Sequence, residues 1–331
     1  MITTEIVLPA KGGPEVLRTR ETDIAGPGPG TVLVRVQATG VAFAEVQMLR
    51  GKYPMQPKFP FVPGYDLVGT VTEIGQGVTG IAVGDRVAAM PRTGAWRGCL
   101  ELPVKGLVAV PAELDAGEAL ALIMNGVTAW QMLHRIAKVR AGQTVLVHGA
   151  SGGVGTLLSR LAARAGAHVI GTASAAKHDR LRELGVAPVD YRAADADAQL
   201  REFGPYDAVF DHIGGSSLRL GWGLLRRGGT LVSYGAVSQL TTTGGPLMYF
   251  AGVLARMVWW NLTGLAAGKR LHSYYVAPGE KFRSDLTHLF ELLRSGELHP
   301  EIAGRYPLVE AETALRRLVE HRVTGKLILE P

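Results

Sequence analysis

Apolar residues recur along this chain with two different periods, and the place where one gives way to the other divides it. In the first third the pattern is that of strands. Thr31–Val41 (TVLVRVQATGV) alternates apolar and polar side chains, Leu67–Gly75 (LVGTVTEIG) does so less strictly, and GDRVAAM and LVAVP follow between glycines and prolines. A small β-rich domain is predicted. After Asp115 apolar residues return every three or four positions through AGEALALIMNGVTAWQMLHRIAKV, a helical spacing that Gly126 is expected to break.

From Thr144 onward the two periods alternate. TVLVHG is a short apolar run. TLLSRLAARAG places Leu157, Leu158, Leu161 and Ala165 on one side of a helix, and HVIGTAS is the next strand. Val145 to Ser174 covers about 30 residues, the size of a βαβ unit. The alternation continues through LRELG, PVDY, DAVFD, SLRLGWGLL and TLVSYG, which implies a parallel sheet with helices on both faces. An apolar helix at Leu247–Leu265 and the run HSYYV follow. The tail adds helices at Lys281–Arg294 and Ala311–Arg322 and a last strand, KLILE, expected to return to the first domain.

Two glycine motifs compete for a dinucleotide. IGQGVTG contains G-x-G-x-x-G at Gly75, Gly77 and Gly80, but a turn and another strand, IAVGDRV, follow it. Binding needs a strand before the glycines and a helix after them, whose N-terminal N–H groups and dipole hold the phosphates. VLVHGASGGVGTLL has both flanks. Gly152 takes the close-approach position, Gly155 the helix-packing position, and Ala150 stands where a turn glycine is usual. At the end of the next strand, an NAD binder usually places an acidic residue for the ribose 2′-OH. Here GTASAAKHDR offers Ser174, Lys177 and Arg180, and the first acid, Asp179, falls inside a helix. A hydroxyl and a cation suit a 2′-phosphate, so NADPH is expected over NADH.

Composition narrows the classes. The 331 residues suggest two domains, with 47% hydrophobic and 19% charged residues in an ordinary globular mixture. Cys99 is the only cysteine, so neither an internal disulfide nor a cysteine-rich zinc site can form, and a reducing, cytoplasmic compartment is expected. MITTEIVLPA carries Glu5 and lacks a signal-type pattern. The formal net charge is +6, but the basic residues are scattered along the chain, with Arg226–Arg227 and Arg316–Arg317 the nearest to clusters, so nucleic-acid binding is not expected. Leu247–Leu265 approaches the length of a membrane span, but Arg256 at its centre argues for an apolar helix lining a pocket or an interface.

At these residues the chain resembles the zinc-free medium-chain dehydrogenases/reductases, specifically the quinone oxidoreductase (zeta-crystallin-like) branch. FPFVPGYDLVGTVTEIGQGVTGIAVGDRV is similar to the family's N-terminal signature, NGVTAWQML to its linking helix, VLVHGASGGVG to its cofactor loop and TGKLIL to its last strand. The resemblance implies an α/β protein in which a GroES-like β-rich catalytic domain (1–123 and 277–331) holds a doubly wound Rossmann domain (124–276), and a homodimer. Zinc enzymes of the superfamily carry Cys and His where this chain has Ala42 and Tyr65, which discounts a zinc hydride-transfer site. Within the branch, the usual Asn corresponds to Ala42 and an upstream Tyr to Gln47, whereas Tyr53 matches the second Tyr.

Carried over by position, the resemblance puts Thr128 on the cofactor, and Gly152, Gly153, Val154 and Gly155 on the pyrophosphate. Ser174, Lys177 and Tyr191 fall at the 2′-phosphate end, and Gly235, Ala236 and Val237 at the nicotinamide end. Lys326 is a further cofactor-side candidate. Tyr53 and Gln47 are the candidates for the catalytic side, with a quinone or an enone as acceptor and the proton coming from water or Tyr53. A crystallin-like or membrane-associated NADPH-binding protein with little turnover is the alternative.

Overall fold

The computed structural model describes residues 1–240 and 246–331, with the side chains at 239, 246–250 and 253 outside that description. The chain divides into two compact units, Met1–Val127 with Ala277–Pro331, and Thr128–Val276.

The first unit is built on a seven-stranded sheet. Along it Ile302–Pro307 pairs with Lys326–Glu330, which is followed by Thr31–Val41, Leu67–Ile74, Arg86–Ala89 and Val108–Ala109, while Cys99–Pro103 also pairs with Thr31–Val41. Val32, Val34 and Val36 of the alternating run face a core with Leu67, Val71, Val87 and Leu102, while Arg35 and Gln37 face outward. The tail strand Lys326–Glu330 lies antiparallel to Thr31–Val41. Its parallel neighbour Ile302–Pro307 is a strand that the pattern did not announce: IAGRYP carries no alternation and sits at the sheet edge.

The glycines of IGQGVTG belong to this unit. They form a turn on the way from Leu67–Ile74 to Arg86–Ala89, and no helix follows. Gly77 and Gly80 both take a φ of +77°, which side chains disfavour, and a Cβ on Gly75 would strike the Gly28 carbonyl. Chain reversal, with no phosphate involved, is enough to require glycine at all three places.

The second unit is a six-stranded parallel sheet. In spatial order its strands are Val186–Asp190, His168–Ala173, Thr144–Val147, Tyr206–Asp211, Leu225–Ser233 and Arg270–Ser273. This is the doubly wound order, and the strand sequence reverses between Thr144–Val147 and Tyr206–Asp211, where such sheets bind ligands at their carboxyl ends. Leu146, Val209 and Leu231 lie at the centre of its core, covered by Leu200, Leu218 and Leu224 from the helices.

The helical run after Asp115 is not broken at Gly126. It continues from Ala116 to Ala137, with wider π turns at Leu122–Gly126 and Gln131–Ala137. Gly126 lies under the Leu289 side chain, so a missing Cβ serves close packing there instead of ending the helix. Asp115 caps the start by accepting from Glu118 N at 2.9 Å.

Candidate active site

In the second unit the strand Thr144–Val147 delivers the chain into HGASGG, and the helix Gly153–Arg164 leaves it. Gly149 takes a φ of +64°. Its N–H donates to Thr172 Oγ1 at 3.1 Å, and Ala150 N donates to the Thr172 carbonyl at 3.0 Å, which ties the turn to the neighbouring strand. A Cβ on Gly155 would lie against the Gly149 carbonyl and the Ala150 backbone, so the helix can approach the turn only with glycine there. Gly152 is the N-cap. It offers no side chain to the first-turn N–H groups of Gly153, Val154 and Gly155, and the first turn holds no acid. An uncapped helix start with no acid in its first turn is the arrangement that holds a phosphate.

The end of the next strand carries the cations. Ala173 pairs with Asp190, so Ser174 and Tyr191 leave the sheet side by side. Lys177 follows Ser174 by one turn, its N–H donating to the Ser174 carbonyl at 2.9 Å. Burial pushes the Lys177 ammonium below its usual range, and the nearby positive Arg192 pushes it the same way. Arg192, which the pattern did not single out, lies with its guanidinium 5.3 Å from the centre of the Tyr191 ring. Asp179 is turned to solvent and paired with Arg182 at 2.6 Å, away from any ribose role. Two cations crowded together with a hydroxyl fit a doubly charged phosphate.

On the other side of the sheet reversal, Gly235, Ala236 and Val237 follow the strand Leu225–Ser233 and lie on the loop after Tyr206–Asp211. Val237 N donates to the His212 carbonyl at 3.2 Å, and a Cβ on Gly235 would meet the His212 backbone. The fully buried Asp211 shapes that loop by accepting from Ile213 N at 2.9 Å, from Gly214 N at 2.6 Å and from the Ser217 hydroxyl. The His212 ring covers Gly149. His148 is buried against Thr172 Oγ1 at 3.3 Å, and burial pushes its pKa down against the opposing pull of Asp211 and Asp197. Thr128 is buried in the linking helix.

The first unit holds a second polar centre. The Tyr53 and Tyr65 hydroxyls are 3.2 Å apart and both side chains are buried. Gln47 is buried on the short helix Phe43–Leu49. Beside Tyr65, Asp66 is fully buried and takes the Lys326 ammonium at 3.3 and 3.2 Å. Lys326 therefore has its charge engaged within this unit. Glu45 completes the group: its Oε2 accepts from Ala42 N at 2.8 Å, and burial pushes its carboxyl up to about 7 against the lowering pull of Lys326. Sequence reasoning missed Asp66 and Glu45 as partners of Lys326, which lies at least 260 residues away, and Tyr65 as the partner of Tyr53, 12 residues on, because no periodic pattern links the two tyrosines. Among the described residues, no cluster of three or more His, Cys, Asp and Glu could hold a metal ion.

Known proteins match both units. Residues 28–119 match the alcohol dehydrogenase GroES-like domain, and residues 184–329 match a family described as zinc-binding dehydrogenase. The rat synaptic vesicle membrane protein VAT-1 homolog is 33% identical over 329 residues, covering 95% of this chain and 80% of that protein. The Escherichia coli quinone oxidoreductase solved with NADPH is 27% identical with a TM-score of 0.85, covering 99% of this chain and 100% of that one. The mycobacterial Rv1454c solved with NADPH is 29% identical with a TM-score of 0.83 over the same shares. With family matches over both units and a relative 33% identical across 95% of its length, the chain belongs to the zinc-free, quinone oxidoreductase-like medium-chain dehydrogenases/reductases that bind NADPH.

Proposed function

We propose that the protein reduces a quinone or an α,β-unsaturated carbonyl (enone), and the observation that carries this reading is the buried Tyr53–Tyr65 hydroxyl pair. When bound, NADPH supplies the hydride. Reduction leaves negative charge on the acceptor oxygen, and the chain must place a donor there. Ala42 brings only a methyl group and Tyr65 a phenol, so hydroxyl groups take on the polarising task. One hydroxyl of the pair donates to the other, which leaves one proton for the acceptor and a neighbour to stabilise the phenolate formed. Tyr53 is the donor in this reading, with Tyr65 behind it and Gln47 orienting the carbonyl. Lys326 and Asp66 hold the strand end beneath them.

On the cofactor side, Gly152–Gly155 hold the pyrophosphate, Ser174, Lys177, Tyr191 and Arg192 the 2′-phosphate, and Thr128 and Gly235–Val237 the nicotinamide end. The homodimer and the cytoplasmic setting implied by the resemblance belong to the same proposal.

Loss of nicotinamide absorbance with a panel of quinones and enones tests it. Turnover with NADPH is expected, with Tyr53→Phe and Tyr65→Phe each lowering kcat by about 100-fold and leaving NADPH affinity unchanged. Lys177→Ala should weaken NADPH by about tenfold or more and leave NADH where it was. Tight NADPH binding with no turnover across the panel would overturn the reductase reading in favour of a cofactor-binding protein.

A further inference from the structure

The net charge of this protein resides in one stretch. Between Asp211 and Glu280 there is no Asp or Glu, while Arg219, Arg226, Arg227, Arg256, Lys269 and Arg270 lie within it. Of 35 Lys and Arg in all, these six leave 29, matched by the 29 Asp and Glu, so the formal +6 is the charge of this stretch alone.

The fold gathers several of these cations around one helix, Pro246–Gly264. Trp222 stacks on Trp260 with ring centres 5.2 Å apart. The Lys269 ammonium lies 5.9 Å from the centre of the Trp222 ring, and the Arg256 guanidinium 5.5 Å from that of Trp260. Arg227 donates to the Ala266 carbonyl just beyond the helix, at 2.9 Å. Arg226 pairs with Asp207, while Arg219 and Arg270 are exposed.

The helix itself is turned the unusual way round. Inward, Asn261 makes two hydrogen bonds to the Leu271 backbone, at 2.7 and 2.9 Å, and Met257 and Trp260 pack on the core. Outward stand Leu254, Val258 and Leu262, spaced four apart on one face and 56, 52 and 60% exposed, with Trp259 at 65% and Leu265 at 72%. The exposed Thr263 satisfies its hydroxyl on the Trp259 carbonyl at 2.9 Å. A surface helix ordinarily turns its polar side to water, and a contiguous apolar face in that position marks a docking site.

Charge decides the occupant. A second copy of this chain would bring the same unbalanced cations against themselves, with no acid in the stretch to receive them. An anionic bilayer complements both features, since the acyl boundary accepts the leucines, valine and tryptophan while headgroup phosphates and carboxylates accept the cations. We propose that this face docks the nucleotide-binding unit on anionic membrane lipid, with the helix lying in the plane of the surface. Among the described residues, no helix is long and apolar enough to cross a membrane.

Flotation of the full chain with vesicles tests this, using phosphatidylcholine alone and phosphatidylcholine mixed with phosphatidylserine. Binding to the mixed vesicles should be at least about tenfold tighter and should weaken at high salt. Trp259→Glu with Leu262→Glu should abolish it, and Arg219→Glu should reduce it. Both sets lie at exposed positions and should keep the melting temperature and NADPH affinity of the parent. Three results would overturn the proposal: no flotation with the mixed vesicles, equal flotation with both kinds, or a dimer in sedimentation equilibrium that Leu262→Glu dissociates while vesicles stay unbound.

Discussion

In the turn between Val147 and Gly153 the polar groups presented are backbone N–H groups at an uncapped helix start, and Cβ atoms on Gly149 and Gly155 would fill the space. Around Gly40 of the first unit, by contrast, the polar groups are side chains. Lys326 and Asp66 press so closely on Gly40 that a Cβ there would meet both, and Glu45 stands beside them. A backbone site survives sequence drift as long as its glycines remain. A side-chain site changes its chemistry with each substitution, which is how Ala42 and Tyr65 come to stand where a superfamily relative holds zinc, and why the cofactor is easier to name than the acceptor.

The sharpest way to break that contrast is Gly155→Val. Its branched side chain would be driven into the Gly149 carbonyl and the Ala150 backbone, where nothing flexible can give way. A destabilisation above about 4 kcal/mol is expected in urea unfolding, with NADPH protection lost. A stable, NADPH-binding variant would show that the turn is not set by backbone approach.

Asp66→Asn comes next. It leaves the Lys326 ammonium in a dry site without its counter-charge, and a loss of about 3–5 kcal/mol is expected. The double variant Asp66→Asn with Lys326→Met should recover much of it, because no unpaired charge then remains.

Smallest is the pH dependence of Glu45. Its carboxyl is at 4.5 when free and about 7 in the fold, so the folded state holds a proton that the unfolded chain has released. The raised value makes stability fall as pH rises from about 4.5 through 7, by at most about 3 kcal/mol. Glu45→Gln removes this titration and should flatten the melting temperature between those limits. An unchanged slope would place the titrating group elsewhere.

The parallel unit was readable in the sequence because its signals are local. The apolar run Thr144–Val147, the glycines and the amphipathic helix with Leu157, Leu158 and Leu161 are contiguous, and the strand–turn–helix sequence has few alternative folds. The strand Ile302–Pro307 was not readable, since it is held by its parallel neighbour Lys326–Glu330 and has no pattern of its own. Gly126 misled for a related reason: a glycine in a helix reads as a stop, and only the packed Leu289 shows it to be a close approach. Ser174 and Lys177 were singled out by counting from the glycines. Arg192 could not be, because it reaches Lys177 across two adjacent strands.

By itself the sequence determined the alternation of strands and helices in the parallel unit and the expectation of GASGGVG over IGQGVTG and of a 2′-phosphate, all of which rest on neighbours within about 30 residues. Tertiary structure alone decided that Asp66 takes Lys326 from 260 positions away, that Tyr65 joins Tyr53, and that the apolar helix after Pro246 faces outward at Leu254, Val258 and Leu262. Periodicity reports that a helix has an apolar face, but whether protein or solvent meets that face depends on what the rest of the chain brings against it.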